Sequence, residues 1–395
     1  MTGHTPVSRT DATFPAPIVA SRRWIEGVSF PADRPLINLS QAAPVEAPPE
    51  SLRQAMAEQL LTVPQSHLYG PVLGMPELRA ELAQQISTLY SGQVEAGHVA
   101  ITSGCNQAFA AAIAALTGEG DEVILPTPWY FNHKMWLDMV GVRTLPLPTG
   151  PDLLPDPERA AAMITPRTRA IVLVTPNNPS GAEYPGGLVR AFYDLAQSRG
   201  IKLLVDETYR DFDSREGAAH DLFTDPDWDR TFVHLYSFSK AYRLTGHRVG
   251  ALVGSPELML GVEKFLDTVT ICPSQIGQFA ALTGLRTLGD WVRGERAEIL
   301  DRRAALSEGF DRLANHGWKL KGLGAYFAYV EHPFEEEAQA LAQRLVHDAG
   351  ILLLPASMFV PEGDPSGARH LRIAFANSDR AGLSEVIDRL AALPV

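Results

Sequence analysis

Residues 232–253 read FVHLYSFSKAYRLTGHRVGALV. An apolar run over Phe232–Leu235 gives way to the hydroxyls and amine of Ser237, Ser239 and Lys240, and a second apolar run follows over Val249–Val253. Short apolar runs bounded by polar residues predict buried strands. Working outward, such runs recur at His98–Thr102, Glu122–Leu125, Ala170–Val174 and Lys202–Val205, mostly separated by helix-length segments such as Gly187–Arg199. That alternation predicts an α/β domain with a largely parallel sheet. Leu78, Leu82, Ile86 and Leu89 after Pro76 carry helical spacing, and the Pro- and Thr-rich first twenty residues predict an extended arm. Asp290 to about Leu313 is charge-laced and helical, suited to link two domains. Strand-like runs at Ala325–Val330 and Leu371–Phe375, with helices over Pro333–Ala349 and Ala381–Leu393, predict a smaller α+β domain.

A chain of 395 residues at roughly 150 per domain makes two or three domains. Its 46 acidic residues against 34 basic ones give a net charge of −12, and no Lys/Arg-rich stretch offers nucleic acid or anionic lipid a footprint. No apolar run approaches the roughly 18 residues of a membrane span. The opening MTGHTPVSRTDATFPAP has no apolar core, and Cys105 and Cys272 are the two cysteines, so the expected compartment is the cytoplasm. No CxxC pair, HExxH or His/Cys cluster supports a metal site.

Polar residues cluster just after the expected strands: Ser103-Gly104-Cys105-Asn106, Trp129-Tyr130, Asn177-Asn178-Pro179, Asp206 with Tyr209, and Ser237 with Lys240. In a parallel sheet these ends share one edge, where ligands bind. The turn Thr102–Asn106, leading into an apolar helix, aims unpaired N–H groups at an anion. Arg248, Ser237 and Ser239 suit the same anion. Asp206 ends an apolar strand, where a carboxylate needs a cationic partner. A phosphorylated heteroaromatic cation satisfies all of these, with its phenolic oxygen near Asn178 and Tyr209. Pyridoxal phosphate is such a molecule, and Lys240 supplies the amine that holds its aldehyde.

In order and spacing, Tyr69-Gly70 before GMPELR, TSGCNQAF, PWYFNHK, TPNNPSG, DETYRDF, SFSKAYRLTGHRVG and LRIAFAN resemble the class I/II, fold-type I aminotransferases of pyridoxal phosphate, from about Ile37 to Val395. The resemblance implies a large domain over 51–285, a small domain from 37–50 and 286–395 including the interdomain helix, and an arm over 1–36. It also implies a role for each matching residue. Lys240 would be the Schiff-base lysine and proton shuttle, and Asp206 the partner of the pyridine nitrogen. Tyr209 and Asn178 would hold the phenolic oxygen, and Tyr130 would stack on the ring. The phosphate would take the N–H groups of Gly104 and Cys105, the side chains of Asn106, Ser237 and Arg248, and the hydroxyl of Tyr69 from a neighbouring subunit of a homodimer. Arg372 would clamp the substrate carboxylate, with Asn178 and Ala42 beside it, and His133 would support Asp206. Ala42 stands where the family usually has glycine, and Cys105 where glycine, alanine or serine is commoner.

Two readings from other classes are weaker. Ser237-Phe238-Ser239-Lys240 is an S-x-x-K string, but it lacks the Ser-Asp-Asn and Lys-Thr-Gly companions of a serine acyl-enzyme. A non-catalytic sensor on this fold would need a DNA-binding module, for which the arm is too short. Within the cofactor class, a β-lyase (C–S lyase) or biosynthetic enzyme is the alternative, but DETYRDF resembles the transaminases. The expected reaction is ping-pong transfer of an amino group from an L-amino acid to a 2-oxo acid such as 2-oxoglutarate. Dicarboxylate-preferring relatives place an arginine just before the segment matching Cys272–Gln275, whereas Thr268-Val269-Thr270-Ile271 has no cation. The expected donor is therefore neutral and large, aromatic or sulfur-containing, with Tyr326 as a pocket wall. Arg22 or Arg23 would change that if the arm folded back into the pocket.

Overall fold

The computed structural model describes residues 8–394; the first seven residues of the expected arm lie outside the described residues. Seven strands build the principal sheet: β1 (Val99–Thr102), β2 (Glu122–Thr127), β3 (Arg143–Pro148), β4 (Thr168–Val174), β5 (Lys202–Asp206), β6 (Phe232–Ser237) and β7 (Gly250–Val253). Their order is β1-β7-β6-β5-β4-β2-β3. β3, β2, β4, β5 and β6 run parallel, and β7 is antiparallel to both neighbours. Along β6, Phe232 and Tyr236 join one apolar cluster while Val233 and Leu235 join another. The sheet is thus buried on both faces, which is why its inner strands read as continuous apolar runs.

A second, antiparallel sheet comprises β8 (Lys319–Gly324), β9 (Phe327–Glu331), β10 (Leu354–Pro355) and β11 (His370–Ile373), in the order β10-β11-β9-β8. The 25-residue helix Gly289–Leu313 leads into it and packs on the helix Arg380–Ala391. Ile37-Asn38 pairs in parallel with Ile351-Leu352, which fixes the following loop, Ser40–Ala43, over the ends of the principal sheet.

Three of these labelled strands, β3, β8 and the two-residue β10, are not predicted by the sequence pattern, and all are edges. β3 carries Pro146 and Pro148, tolerable where one side of the ladder has no partner. β8, KLKGLG, is a half-exposed edge with no apolar run. The expected strand at Ala325 begins instead at Phe327, because Ala325 adopts φ +45° in the turn from β8. The arm also departs from expectation. Pro17–Arg23 is a helix with proline in its first turn, and Phe14 and Ile18 pack with Phe131 and Phe359. Apolar side chains that seemed isolated in the sequence find their partners more than a hundred residues away.

Candidate active site

The carboxyl ends of β4, β5 and β6, the turn after β1 and the loop Gln41–Ala43 enclose a cavity of about 500 Å³. It is lined by Cys105, Asn106, Tyr130, Asn178, Asp206, Tyr209, Ser237, Lys240, Arg248 and Arg372, so ten of the expected site residues converge there. Ala42 completes the wall.

Lys240 lies in the short helix Phe238–Ala241, whose first turn is capped by the Ser237 side chain accepting from Ser239 N–H at 3.2 Å. Its amine donates to Ala42 O at 2.5 Å and stands 5.8 Å from the Tyr209 ring centre. Burial, then the charges of Arg248 and Arg372, pushes its pKa down to about 8, because a cation loses hydration and meets like charge. The unprotonated, nucleophilic amine is therefore accessible near neutrality. In cofactor-free protein, the rate of pyridoxal phosphate capture should rise with pH through a midpoint near 8. Arg372→Leu removes a positive neighbour and should move that midpoint upward; a midpoint above 10 in the parent protein would contradict the assignment.

Asp206 closes β5, buried at 3% exposure. Its Oδ1 accepts from Thr208 N–H at 3.0 Å and Thr208 Oγ1 at 2.7 Å, and the Cys105 thiol points at the same oxygen from 3.6 Å. His133 Nε2 lies 3.2 Å from Oδ2, with its imidazole stacked on Phe109 at 3.8 Å between ring centres. Burial alone would raise the Asp206 pKa, but His133 and the Thr208 hydrogen bonds outweigh it and the net shift is downward. Asp206 is held as a carboxylate in an interior site. Thr208 and Phe109 are contributions that the motif reading missed; Thr208, two residues after an aspartate, carries the signal of an Asx-type turn.

At the anion turn, Gly104 takes φ +88°, and its N–H turns back onto Thr102 O at 2.8 Å. The expectation that Gly104 N–H serves the phosphate is thus corrected. The helix Cys105–Leu116 begins here, so the free donors are the first-turn N–H groups of Cys105 and Asn106. A Cβ on Gly104 would come within 2.2 Å of Arg248 Nη2, and one on Gly250 within 2.6 Å of Cys105 N. Both glycines therefore clear space at the turn, the first for the Arg248 guanidinium. Tyr130 Oη contacts Asn106 Oδ1 at 3.2 Å and accepts from Asn132 Nδ2 at 2.8 Å. Burial and then Asp206 push its pKa up to about 12, so it remains a neutral phenol.

Arg372 comes from β11 and is 1% exposed. It donates to Asn178 Oδ1 at 3.0 Å and to Ser40 O, while the rings of Phe327 and Phe359 flank it at 5.1 and 5.0 Å. Burial brings its pKa down to about 10, and its buried Nε has no partner. A buried guanidinium fork with no carboxylate beside it has the geometry that suits one.

Besides Gly104, three expected residues do not line the cavity. Tyr326 is 3% exposed and packed behind Tyr209 and against Phe212, at 5.3 and 4.9 Å between ring centres, so it backs the wall rather than forming it. His133 lies beneath Asp206. Tyr69 is 79% exposed on the outside of the chain. Conversely, Ile18 and Gln41 join the lining, and Arg22 Nη2 donates to Gln41 Oε1 at 2.7 Å. The arm folds back to the rim, with Arg22 one contact outside the wall.

An amine of lowered pKa, a buried carboxylate, an aromatic side chain and an anion-binding turn with arginine together fit pyridoxal phosphate in the donors they offer. The family description "Aminotransferase class I and II" matches residues 34–390. The chain belongs to this family. It is 29% identical to the probable aspartate/prephenate aminotransferase of Thermus aquaticus, over 82% of each chain. It is equally identical to the aromatic aminotransferase ISS1 of Arabidopsis thaliana, over 90% of this chain and 88% of that one. Among solved structures, Thermus thermophilus aspartate aminotransferase with maleate superposes at TM-score 0.87, 27% identity and 99% coverage of both chains. YbdL of Escherichia coli, described as having a methionine aminotransferase function, superposes at 0.87 and 25% identity, over 99% of this chain and 100% of that one. This aminotransferase has the fold-type I architecture and uses pyridoxal phosphate.

Proposed function

We propose that this aminotransferase takes its amino group from a neutral L-amino acid with a large apolar, aromatic or sulfur-containing side chain and passes it to a 2-oxo acid such as 2-oxoglutarate. One observation carries the donor class: Lys240, Arg248 and Arg372 are the only cations lining the cavity among the described residues. Each is already committed, to the aldehyde, the phosphate and the substrate α-carboxylate respectively. An acidic donor would bury its distal carboxylate unpaired, which costs several kcal/mol, and about 1.4 kcal/mol is a tenfold discrimination. The segment Thr268–Ile271 adds no cation; Val269 and Ile271 are exposed on the surface.

When bound, pyridoxal phosphate supplies an aldehyde for the substrate amine and a protonated ring that draws off the electron pair left at Cα. Arg372 binds the α-carboxylate and so orients the Cα–H bond. Lys240 Nζ would take that proton and hold it as the ammonium, ready to give it back, serving as base and then as acid. Asp206, ionised and braced by Thr208 and His133, would hold the pyridine nitrogen in its protonated form. Tyr209 and Asn178 would hold the phenolic oxygen, and Tyr130 would pack on the ring.

A homodimer belongs to this reading: Tyr69 is exposed beside Leu68, with Leu61 and Leu60 nearby in sequence also exposed, and it would complete the phosphate site of a second copy. The units 51–285 and 37–50 with 286–395 belong to the same reading. No helix of the described residues is long and apolar enough to cross a membrane, and the reading places the enzyme in the cytoplasm.

The donor class is tested by kcat/KM for phenylalanine and methionine against aspartate. Phenylalanine or methionine should exceed aspartate by about tenfold or more; a preference for aspartate would overturn the reading. If that preference disappeared in Arg22→Ala, the rim arginine would be identified as the missing cation.

A further inference from the structure

A second cavity, of about 270 Å³, lies between the loop after Tyr209 and the helix Gly289–Leu313, and it shares no lining residue with the first. Arg210 forms part of its wall. The Arg210 side chain is 8% exposed, its guanidinium lies 3.9 Å from the centre of the Tyr236 ring, and its Nε and Nη1 have no hydrogen-bond partner. The acid beside it, Asp211, comes no nearer than 4.0 Å and accepts the Tyr236 hydroxyl at 2.8 Å. Glu207 Oε2 accepts from Tyr90 and lies 2.9 Å from His234 Nε2, while its Oε1 faces His220 at 3.6 Å rather than Arg210. A guanidinium is charged at every working pH, and buried donors left without acceptors are costly.

The other arginines of this cavity are differently placed. Arg215 is occupied by Asp213 and Tyr184 O, and Arg296 by three backbone carbonyls and Glu216. Arg293 stands at the mouth, 73% exposed, with only the 93% exposed Asp290 beside it. The cavity therefore presents one buried guanidinium with two donors lacking acceptors and one outer cation whose partner is fully solvated, while the three acids of its lining are turned to other groups: Asp211 to Tyr236, Asp213 to Arg215 and Glu216 to Arg296. We propose that it is a second ligand site, for a small oxyanion bearing two negative charges: one charged group on Arg210, the other on Arg293. This inference does not depend on the donor class proposed above. Because Arg210 follows Tyr209 directly, and Val292, Arg293 and Arg296 belong to the long helix, occupancy would tie the ring-binding loop to that helix.

The test is thermal unfolding of the holoenzyme titrated with inorganic phosphate, and separately with succinate, against chloride at matched ionic strength. Phosphate or succinate should raise the melting temperature beyond chloride, and the responding anion separates a phosphate-type from a carboxylate-type ligand. Arg293→Glu, a surface change, should weaken the apparent affinity about tenfold, Arg210→Lys should do likewise, and Arg372→Leu should leave the response in place. No anion-specific shift in the parent protein would overturn the proposal. So would a shift that survives Arg293→Glu, or one that Arg372→Leu abolishes. If Arg210→Lys does not fold, the Arg293→Glu and Arg372→Leu arms decide.

Discussion

Lys240→Ala should lose turnover by about 10⁴-fold or more while still binding pyridoxal phosphate. The size of the loss follows from one side chain serving both as anchor and as the proton carrier between substrate and cofactor. Retention of cofactor follows from the groups that remain: Asp206, Arg248 and the first-turn N–H groups of Cys105 and Asn106 lie on other segments. Among the described residues the Lys240 amine hydrogen-bonds to Ala42 O and not to Asp206 or its partners, so its removal leaves the Asp206 braces intact. Cofactor content released on denaturation and single-turnover rates measure the two effects separately. In the parent enzyme, borohydride should fix the cofactor on Lys240; peptide mapping that found it on another lysine, or a variant retaining a tenth of the parent turnover, would sink the assignment.

Asp206→Ala should slow α-proton removal by about 10³-fold and weaken cofactor binding. The effect is electrostatic. Two Thr208 hydrogen bonds and His133 hold the carboxylate ionised in a site where burial alone would favour its protonation. An alanine leaves the ring nitrogen without a counter-charge and leaves His133 without its acid. Asp206→Glu keeps the charge but displaces it by one carbon–carbon bond, so it should fall between the two. Exchange of the substrate α-proton for deuterium reads this step directly, and exchange at the parental rate in Asp206→Ala would remove the residue from the mechanism.

Why some of this was readable in the sequence and some not comes down to range. β5 and β6 are apolar runs ending in polar residues, so both the strands and the positions of Asp206, Tyr209, Ser237 and Lys240 at one sheet edge follow from local pattern. β3, β8 and β10 leave no such pattern because edge strands need no continuous apolar run and admit proline or glycine. The reversal of Gly104 N–H onto Thr102 O depends on a backbone angle that composition does not report. Tyr326 failed as a wall for a different reason: its sequence neighbourhood was right, but the turn at Ala325 sends its ring behind Tyr209. The docked arm was beyond local reading altogether, since Ile18 and Arg22 meet partners supplied by Phe131, Phe359 and Gln41.

The unequal bracing of the two charged groups has a bearing on which of them yields to an incoming molecule. Asp206 Oδ1 is satisfied by Thr208 and Oδ2 lies beside His133, whereas the Lys240 amine has Ala42 O as its hydrogen-bond partner. A group joining Lys240 would give up that one contact and leave the Asp206 braces as they are, so the carboxylate acts as a fixed post and the lysine as the movable latch.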